Sequence, residues 1–181
     1  STDDTVIQGM ARQCGHIVRD RPADISGPAV GIKAVFEDVV NHVDLPGNAV
    51  LWLFYLTILY RDPTDYARAK KLIEADDCTS LCTFIPAVTH PFTCWRQDAG
   101  TGRMQQYIPN DVFRRQDMPP AWRHYHYVMA LKPAALPPLN SELLGDITHP
   151  ILLSEEIARR LVEIDTPEQY EAWKRGEEVR K

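Results

Sequence analysis

The sequence predicts an α/β protein in which helices cover both faces of a three-layer, mostly parallel, doubly wound sheet. Three observations lead to this fold class. Apolar stripes at helical spacing alternate with short strand-like segments, and the connections between them are short. Residues 49–60 form a nearly unbroken apolar run without polar alternation, which is typical of a strand covered on both faces.

The first part of the chain predicts a helix, a strand and a second helix. Asp4 offers a capping oxygen ahead of an apolar helical stripe, and Gly15 is placed to end that helix in the left-handed conformation. Residues 16–18 predict a short strand. Residues 20–28 contain two prolines and a glycine and predict a loop, after which residues 29–42 predict a second helix.

The apolar run at residues 49–60 is followed by a predicted helix that Asp62 caps, and then by a strand at residues 79–88. Residues 90–110 predict a β-hairpin insertion, because strand-like segments flank the glycine-containing loop at residues 98–102. Such a hairpin can reach over a neighbouring copy, so we expect it to serve in dimerisation.

The last third of the chain predicts three strands and one helix. The strands are predicted at residues 126–131, 149–153 and 161–164, with a proline-rich, irregular connection after the first of them. Thr166 is placed to cap a closing helix at Pro167–Lys174. Because the sequence contains no repeat and no linker, residues 1–181 are predicted to form a single domain.

The amino-acid composition favours some classes of function over others. The formal net charge of -5 disfavours a nucleic-acid partner and favours a small phosphorylated ligand held by a few basic side chains. The apolar run is about half as long as a membrane span, and no signal-peptide pattern precedes it, so we expect a cytoplasmic protein without a membrane partner. The four cysteines are expected to be reduced, buried thiols, and the Cys78/Cys82 spacing alone is weak support for a metal pair.

Two carboxylates near the end of the chain form a candidate metal site. Glu163 and Asp165 are two residues apart in a predicted strand, so both side chains point to one face. At about 7 Å and an effective dielectric constant near 20 they repel each other by about 2 kcal/mol, and bound Mg²⁺ reverses that cost. In the alternative interpretation, Asp165 or Thr166 only caps the final helix and Glu163 is solvated.

Arginines at predicted strand or loop ends are candidate anion ligands, because guanidinium groups bind phosphate and carboxylate in a bidentate manner. Arg61 directly follows the apolar run, where a doubly wound sheet places ligand contacts. Taken alone, each of these residues is equally well explained as an ordinary surface arginine. The set comprises Arg19, Arg21, Arg61, Arg114, Arg115 and Arg123.

Residues 122–127, Trp-Arg-His-Tyr-His-Tyr, predict either an aromatic wall beside a ligand or an ordinary packing surface. His124 and His126 share a predicted strand face, but no third zinc ligand lies at a supporting spacing. The sequence also lacks the GxGxxG, GxxxxGK(S/T) and GxSxG motifs. Dinucleotide-binding, P-loop and serine-hydrolase functions therefore lose most of their support.

Four segments, in this order along the chain, resemble the acylneuraminate (CMP-sugar) cytidylyltransferase family. Residues 1–4, Ser-Thr-Asp-Asp, are similar to its STD motif, and residues 21–25, Arg-Pro-Ala-Asp-Ile, to its RPAEL stretch. Residues 114–119, Arg-Arg-Gln-Asp-Met-Pro, resemble RRQDLP, and residues 163–168, Glu-Ile-Asp-Thr-Pro-Glu, resemble DIDTPED. Together these segments extend over nearly the whole chain.

This resemblance implies a nucleotide-diphospho-sugar transferase-like fold, a homodimer, and transfer of CMP from CTP to a sugar acid with release of pyrophosphate. The implied acceptor is sialic acid-like or 3-deoxy-octulosonic acid-like. Glu163 and Asp165 are the implied Mg²⁺ ligands and, with Arg115, the implied catalytic residues, while Arg21 is implied to bind the nucleotide. The implied substrate-binding residues are Tyr55, Thr57, Arg61, Gln116 and Arg123.

The chain also departs from the family pattern. The family's opening strand and its ARGGSKG nucleotide-binding loop have no counterpart, so we expect a chain that is N-terminally truncated relative to the family. Tyr55 stands where the family has a substrate-contacting glutamine, and Glu163 replaces an Asp of the metal site. These departures leave open a non-catalytic relative that binds a ligand or partner. A glycosyltransferase domain is a third alternative, but residues 61–63, Arg-Asp-Pro, supply no DxD motif.

Overall fold

A computed structural model of the chain describes residues 1–75 and 77–177. In this part of the chain, no helix is long and apolar enough to cross a membrane. The α-helices are α1 (Thr5–Gln13), α2 (Ile32–His42), α3 (Pro63–Ile73), α4 (Glu155–Arg160) and α5 (Pro167–Lys174). The strands are β1 (Leu51–Leu53), β2 (Ser80–Pro86), β3 (Trp95–Gln97), β4 (Met104–Gln106), β5 (Trp122–Leu131) and β6 (Thr148–Leu152).

Four of these strands form a mixed sheet in the order β1-β5-β2-β6. β1 is antiparallel to β5, with Trp52 opposite Ala130. β3 and β4 form a separate antiparallel hairpin, with Trp95 opposite Gln106. The α/β class is therefore confirmed, and a hairpin lies within residues 90–110 as predicted.

The chain folds into two compact units, each assembled from three segments. The first unit comprises Ser1–Phe54, Asp62–Cys82 and Val128–His149. The second comprises Tyr55–Arg61, Thr83–Tyr127 and the described part of Pro150–Lys181.

The predicted ends of helix α1 and the predicted start of helix α3 are confirmed. The Asp4 carboxylate accepts hydrogen bonds from the backbone N–H groups of Val6 and Ile7 at the start of α1. Gly15 follows the helix with a φ of 80°, a conformation that an L-residue with a side chain rarely adopts. Asp62 likewise caps α3 by accepting from the Thr64 N–H group. These ends form as the sequence predicts because each depends on residues only two or three positions apart.

The long apolar run does not form the long strand that its composition predicts. Only Leu51–Leu53 is a strand, and the chain then turns, with the Ile58 N–H group donating to the Tyr55 carbonyl. Phe54 is 50% exposed and Leu56 is 72% exposed, whereas Ile58 is buried. The prediction was wrong because an apolar run reports affinity for the interior and does not by itself specify a continuous strand.

Three further expectations are corrected. Residues 16–18 form no strand, and Ile17 is almost fully exposed, because the backbone pairing falls later, between Thr2 and Asp20. Residues 161–164 contribute only an isolated bridge, at Glu163. All four cysteines are free thiols, but Cys14 is exposed and Cys94 is half-buried, so only Cys78 and Cys82 are buried as expected. The short helix α4 was missed.

The closing helix α5 begins with a capping box that holds the backbone next to the candidate carboxylates. The Thr166 hydroxyl accepts from the Gln169 N–H group, and the Gln169 side-chain oxygen accepts from the Thr166 N–H group in return. The same Gln169 oxygen accepts from the Asp165 N–H group at 2.7 Å. The cap therefore orders the backbone that carries Asp165.

We expect Thr166→Ala to lower the free energy of unfolding by about 1 kcal/mol, because it leaves the Gln169 N–H group without its acceptor. Chemical denaturation monitored by circular dichroism measures this change. Thr5→Ala, at an exposed position in the first turn of α1, is the control and should change stability by less than about 0.5 kcal/mol. Equal stability of Thr166→Ala and the original protein would contradict the structural role of the cap.

Candidate functional site

The candidate site in the second unit begins with a short antiparallel pairing between two distant segments. The Leu59 N–H group donates to the Val162 carbonyl at 3.0 Å, and the Ile164 N–H group donates to the Thr57 carbonyl at 2.9 Å. Ile58 and Glu163 are thereby bridged. Since Ile58 is 2% exposed, this pairing is anchored by a buried side chain next to Glu163.

Tyr125 is the group on which the candidate carboxylates converge. It lies on β5, is 8% exposed, and its hydroxyl donates a hydrogen bond to the Glu163 carboxylate. Burial raises the pKa of Tyr125 most strongly, followed by the negative charge of Glu163 and this hydrogen bond. The negative charge of Asp165 raises the pKa of Tyr125 further, while the positive charge of Arg123 lowers it. Both carboxylates and one guanidinium group therefore act on the same phenol.

A small cavity of about 170 Å³ lies beside Tyr125 and Glu163. The Tyr55 and His126 rings lie 5.5 Å apart, and the His124 and His126 rings 5.1 Å apart, measured between centroids. The Arg123 guanidinium carbon lies 5.5 Å from the centre of the Tyr125 ring, a cation–π arrangement. The cavity is lined by Tyr55, Ile58, Arg123, His124, Tyr125, His126 and Glu163.

A larger cavity of about 590 Å³ lies in the same unit and shares Arg123 with the smaller one. Its wall also includes Arg115 and, from α4, Arg159. Within residues 1–75 and 77–177, neither Arg115 nor Arg123 has a carboxylate within ion-pair distance. Arg159 is paired with Glu155 at 2.9 Å. Arg123 therefore lines both the cavity that contains Glu163 and the cavity that contains Arg115 and Arg159.

Three further residues of the sequence-derived set, Arg61, Thr57 and Arg114, make contacts within the protein, whereas Gln116 is exposed. The Arg61 guanidinium donates to the Tyr55 carbonyl and so closes the loop that carries Tyr55. Thr57 contributes its carbonyl to the pairing described above. Gln116 is exposed within the 3₁₀ turn Arg115–Asp117, and Arg114 is taken up by a bidentate pair with Asp117.

Two arginines of the set belong to the first unit. The Arg21 side chain donates to the Ser1 carbonyl at 2.8 Å. Arg19 makes two hydrogen bonds, at 2.8 and 2.7 Å, to the Asp38 carboxylate, which lower the pKa of Asp38. In the structure both arginines serve local contacts of that unit.

Sequence reasoning missed Arg159 and Glu155, and it left Tyr125 within an aromatic wall without a specific role. The signal for the first two is present: Ser154 precedes two acidic residues, and Glu155 and Arg159 are four apart, a typical capped helix with an ion pair along one face. No comparable local signal marks Tyr125, because its environment is made by a distant segment.

No protein-family profile and no curated protein sequence matches this chain.

We expect Tyr125 to remain protonated when exposed tyrosines ionise, because its pKa is raised above the ordinary value of 10.0. Absorbance titration of the seven tyrosines should show a late component that is missing in Tyr125→Phe. Since the folded state holds this proton more tightly than the unfolded state, the stabilisation is fully present below pH 10.0 and is lost as the pH rises further. Tyr107→Phe, at a 63% exposed site, is the control and should leave the late component in place.

Proposed function

We propose that this chain is a Mg²⁺-dependent cytidylyltransferase that transfers CMP from CTP to a sugar acid and releases pyrophosphate. The observation that carries the proposal is the convergence of Glu163 and Asp165 on Tyr125, beside Arg123. The charges of both carboxylates act on the same phenol, and carboxylate oxygens are ligands that a divalent cation such as Mg²⁺ accepts.

The donor set fits magnesium. Carboxylate oxygens are hard ligands, and Mg²⁺ is typically bound by one or two carboxylates together with substrate phosphates. When bound, the cation neutralises charge on the phosphate oxygens. Glu163 and Asp165 are the residues proposed to hold it, and the Tyr125 hydroxyl orients Glu163 through its hydrogen bond.

The positively charged side chains supply the remaining contacts of the proposal. Arg115 and Arg123 line the larger cavity and have no carboxylate partner among the described residues, so both are available to anionic groups of the substrates. Arg61 holds the backbone of Tyr55, which lines the smaller cavity. In the proposed reaction the sugar hydroxyl attacks the α-phosphorus, and the bond from that phosphorus to pyrophosphate breaks. Arg21, Thr57 and Gln116 retain their proposed binding roles.

The proposal also includes three features beyond the local site. The first is the family's three-layer, mostly parallel, doubly wound sheet, to which the four-stranded sheet would belong. The second is a cytoplasmic location. The third is a homodimer in which the hairpin of β3 and β4 contacts the partner.

One observation favours a second candidate, a non-catalytic relative that binds a ligand or partner. The cavity beside Glu163 has a volume of only about 170 Å³, whereas ligand sites for larger molecules usually exceed about 300 Å³. Glu163 is also already engaged by Tyr125. In this candidate the polar group around Tyr125 stabilises the unit without chemistry.

Asp165→Asn should reduce Mg²⁺-dependent pyrophosphate release from CTP by about 100-fold or more, because a metal ion contributes several kcal/mol to such a reaction. A coupled pyrophosphate assay with a panel of sugar acids measures the rate, and calorimetric titration with Mg²⁺ measures binding separately. Glu171→Gln removes a carboxylate from an exposed pair on α5 and should leave both unchanged. Full activity of Asp165→Asn would remove Asp165 from the mechanism. Absence of turnover in the unmodified protein would favour the second candidate.

The proposed dimer should depend on the apolar face of the hairpin. Trp95 is 51% exposed and Met104 is 56% exposed, and the antiparallel register places both on one face. Light scattering at micromolar concentration should give a dimer mass for the unmodified protein and a monomer mass for the Trp95→Ser/Met104→Ser double variant. A monomer mass for the unmodified protein would contradict the dimer.

A further inference from the structure

The larger cavity of the second unit, of about 590 Å³, carries an excess of positive charge. Among the described residues, three guanidinium groups line it, from Arg115, Arg123 and Arg159, against one carboxylate, that of Glu155. His90, also in the wall, accepts from the Phe92 N–H group through Nδ1 at 3.1 Å and donates through Nε2 to the Pro119 carbonyl at 2.8 Å. These two hydrogen bonds occupy both ring nitrogens of His90.

The charge of this cavity is opposite in sign to that of the whole protein, whose formal net charge is -5. An acidic protein has little general attraction for anions, so a local group of guanidinium side chains selects an anion by direct contact. Guanidinium groups favour oxyanions because their parallel N–H groups match two oxygens of a carboxylate or phosphate.

The Glu155 carboxylate is held by an exposed ion pair with Arg159, so another anion can replace it. Glu155 and Arg159 form a pair four residues apart on α4, at 2.9 Å, and their side chains are 70% and 79% exposed. Exposed pairs of this kind are weak, because solvent screens the charges and both side chains are flexible. An anion that enters the cavity therefore competes readily with Glu155 for Arg159.

We propose that this cavity is a binding site for a compact oxyanion, a carboxylate or a phosphate group. Arg115 and Arg123 bind the anion directly, and Arg159 exchanges Glu155 for it. Glu155 thus acts as an internal competitor that is displaced on binding. This site deepens the proposed function and rests on it for the identity of the anion. The anion is then either the acid group of the acceptor or the pyrophosphate product.

The experiment is calorimetric titration of the full chain with sodium pyrophosphate and, separately, with N-acetylneuraminate, in low salt and without CTP or Mg²⁺. We expect saturable binding of at least one probe, and the tighter of the two identifies the source of the anion. Arg159→Gln should weaken that binding by about tenfold, the value of one charge-assisted contact. Glu155→Gln should strengthen it by about two- to fivefold, because the competing exposed pair is removed.

Two matched controls separate these effects from a change in overall charge. Glu171→Gln also removes one carboxylate from an exposed helical pair, and Arg175→Gln removes one guanidinium group that is paired with Glu177 outside the cavity. Both should leave probe binding unchanged.

Absence of saturable binding to either probe overturns the inference, as does equal affinity of Glu155→Gln and Glu171→Gln. Because the titration needs neither CTP nor metal, it is independent of turnover. Binding without turnover leaves the anion site standing and counts against the proposed enzyme, whereas turnover without the Glu155 and Arg159 effects overturns the anion site alone.

Discussion

The candidate site depends on one short antiparallel pairing, in which residues 57–59 meet residues 162–164. Its two backbone hydrogen bonds contribute only about 1 kcal/mol each in net terms, so they do not hold the segments together unaided. Burial of the Ile58 side chain contributes about 1.5–3 kcal/mol more. The capping box of α5 then orders the backbone immediately after the pairing. The backbone pairing, the buried Ile58 side chain and the capping box together position Glu163.

The position of Glu163 brings its negative charge to bear on Tyr125. Tyr125 is a buried phenol whose hydroxyl needs an acceptor, and Glu163 supplies it. The negative charges of Glu163 and Asp165 and the positive charge of Arg123 act on the phenol in opposite directions. Arg123 also lines the larger cavity, so the same guanidinium group is shared by the cavity that contains Glu163 and the cavity that contains Arg115 and Arg159.

Strong local patterns predicted the structure well where only neighbouring residues are involved. The cap at Asp4, the left-handed Gly15, the cap at Asp62 and the capping box at Thr166 all form as expected. The hairpin also forms, because its loop and flanking strands are contiguous in sequence. The run at residues 49–60 failed as a strand prediction, since its apolar side chains divide between the interior and the surface once the chain turns at Tyr55.

The sequence by itself determined the N-terminal caps of α1, α3 and α5, the hairpin and the two-residue spacing of Glu163 and Asp165. It also indicated that arginines would bind any anionic ligand. Only the tertiary structure decided that Tyr125 is the partner of Glu163, that Arg123 lies between two cavities, and that Arg159 joins Arg115 in one wall. The physical reason is that caps and turns follow from local dihedral preferences and hydrogen bonds. The meeting of side chains from distant segments depends instead on how buried apolar groups such as Ile58 pack, which no local pattern encodes.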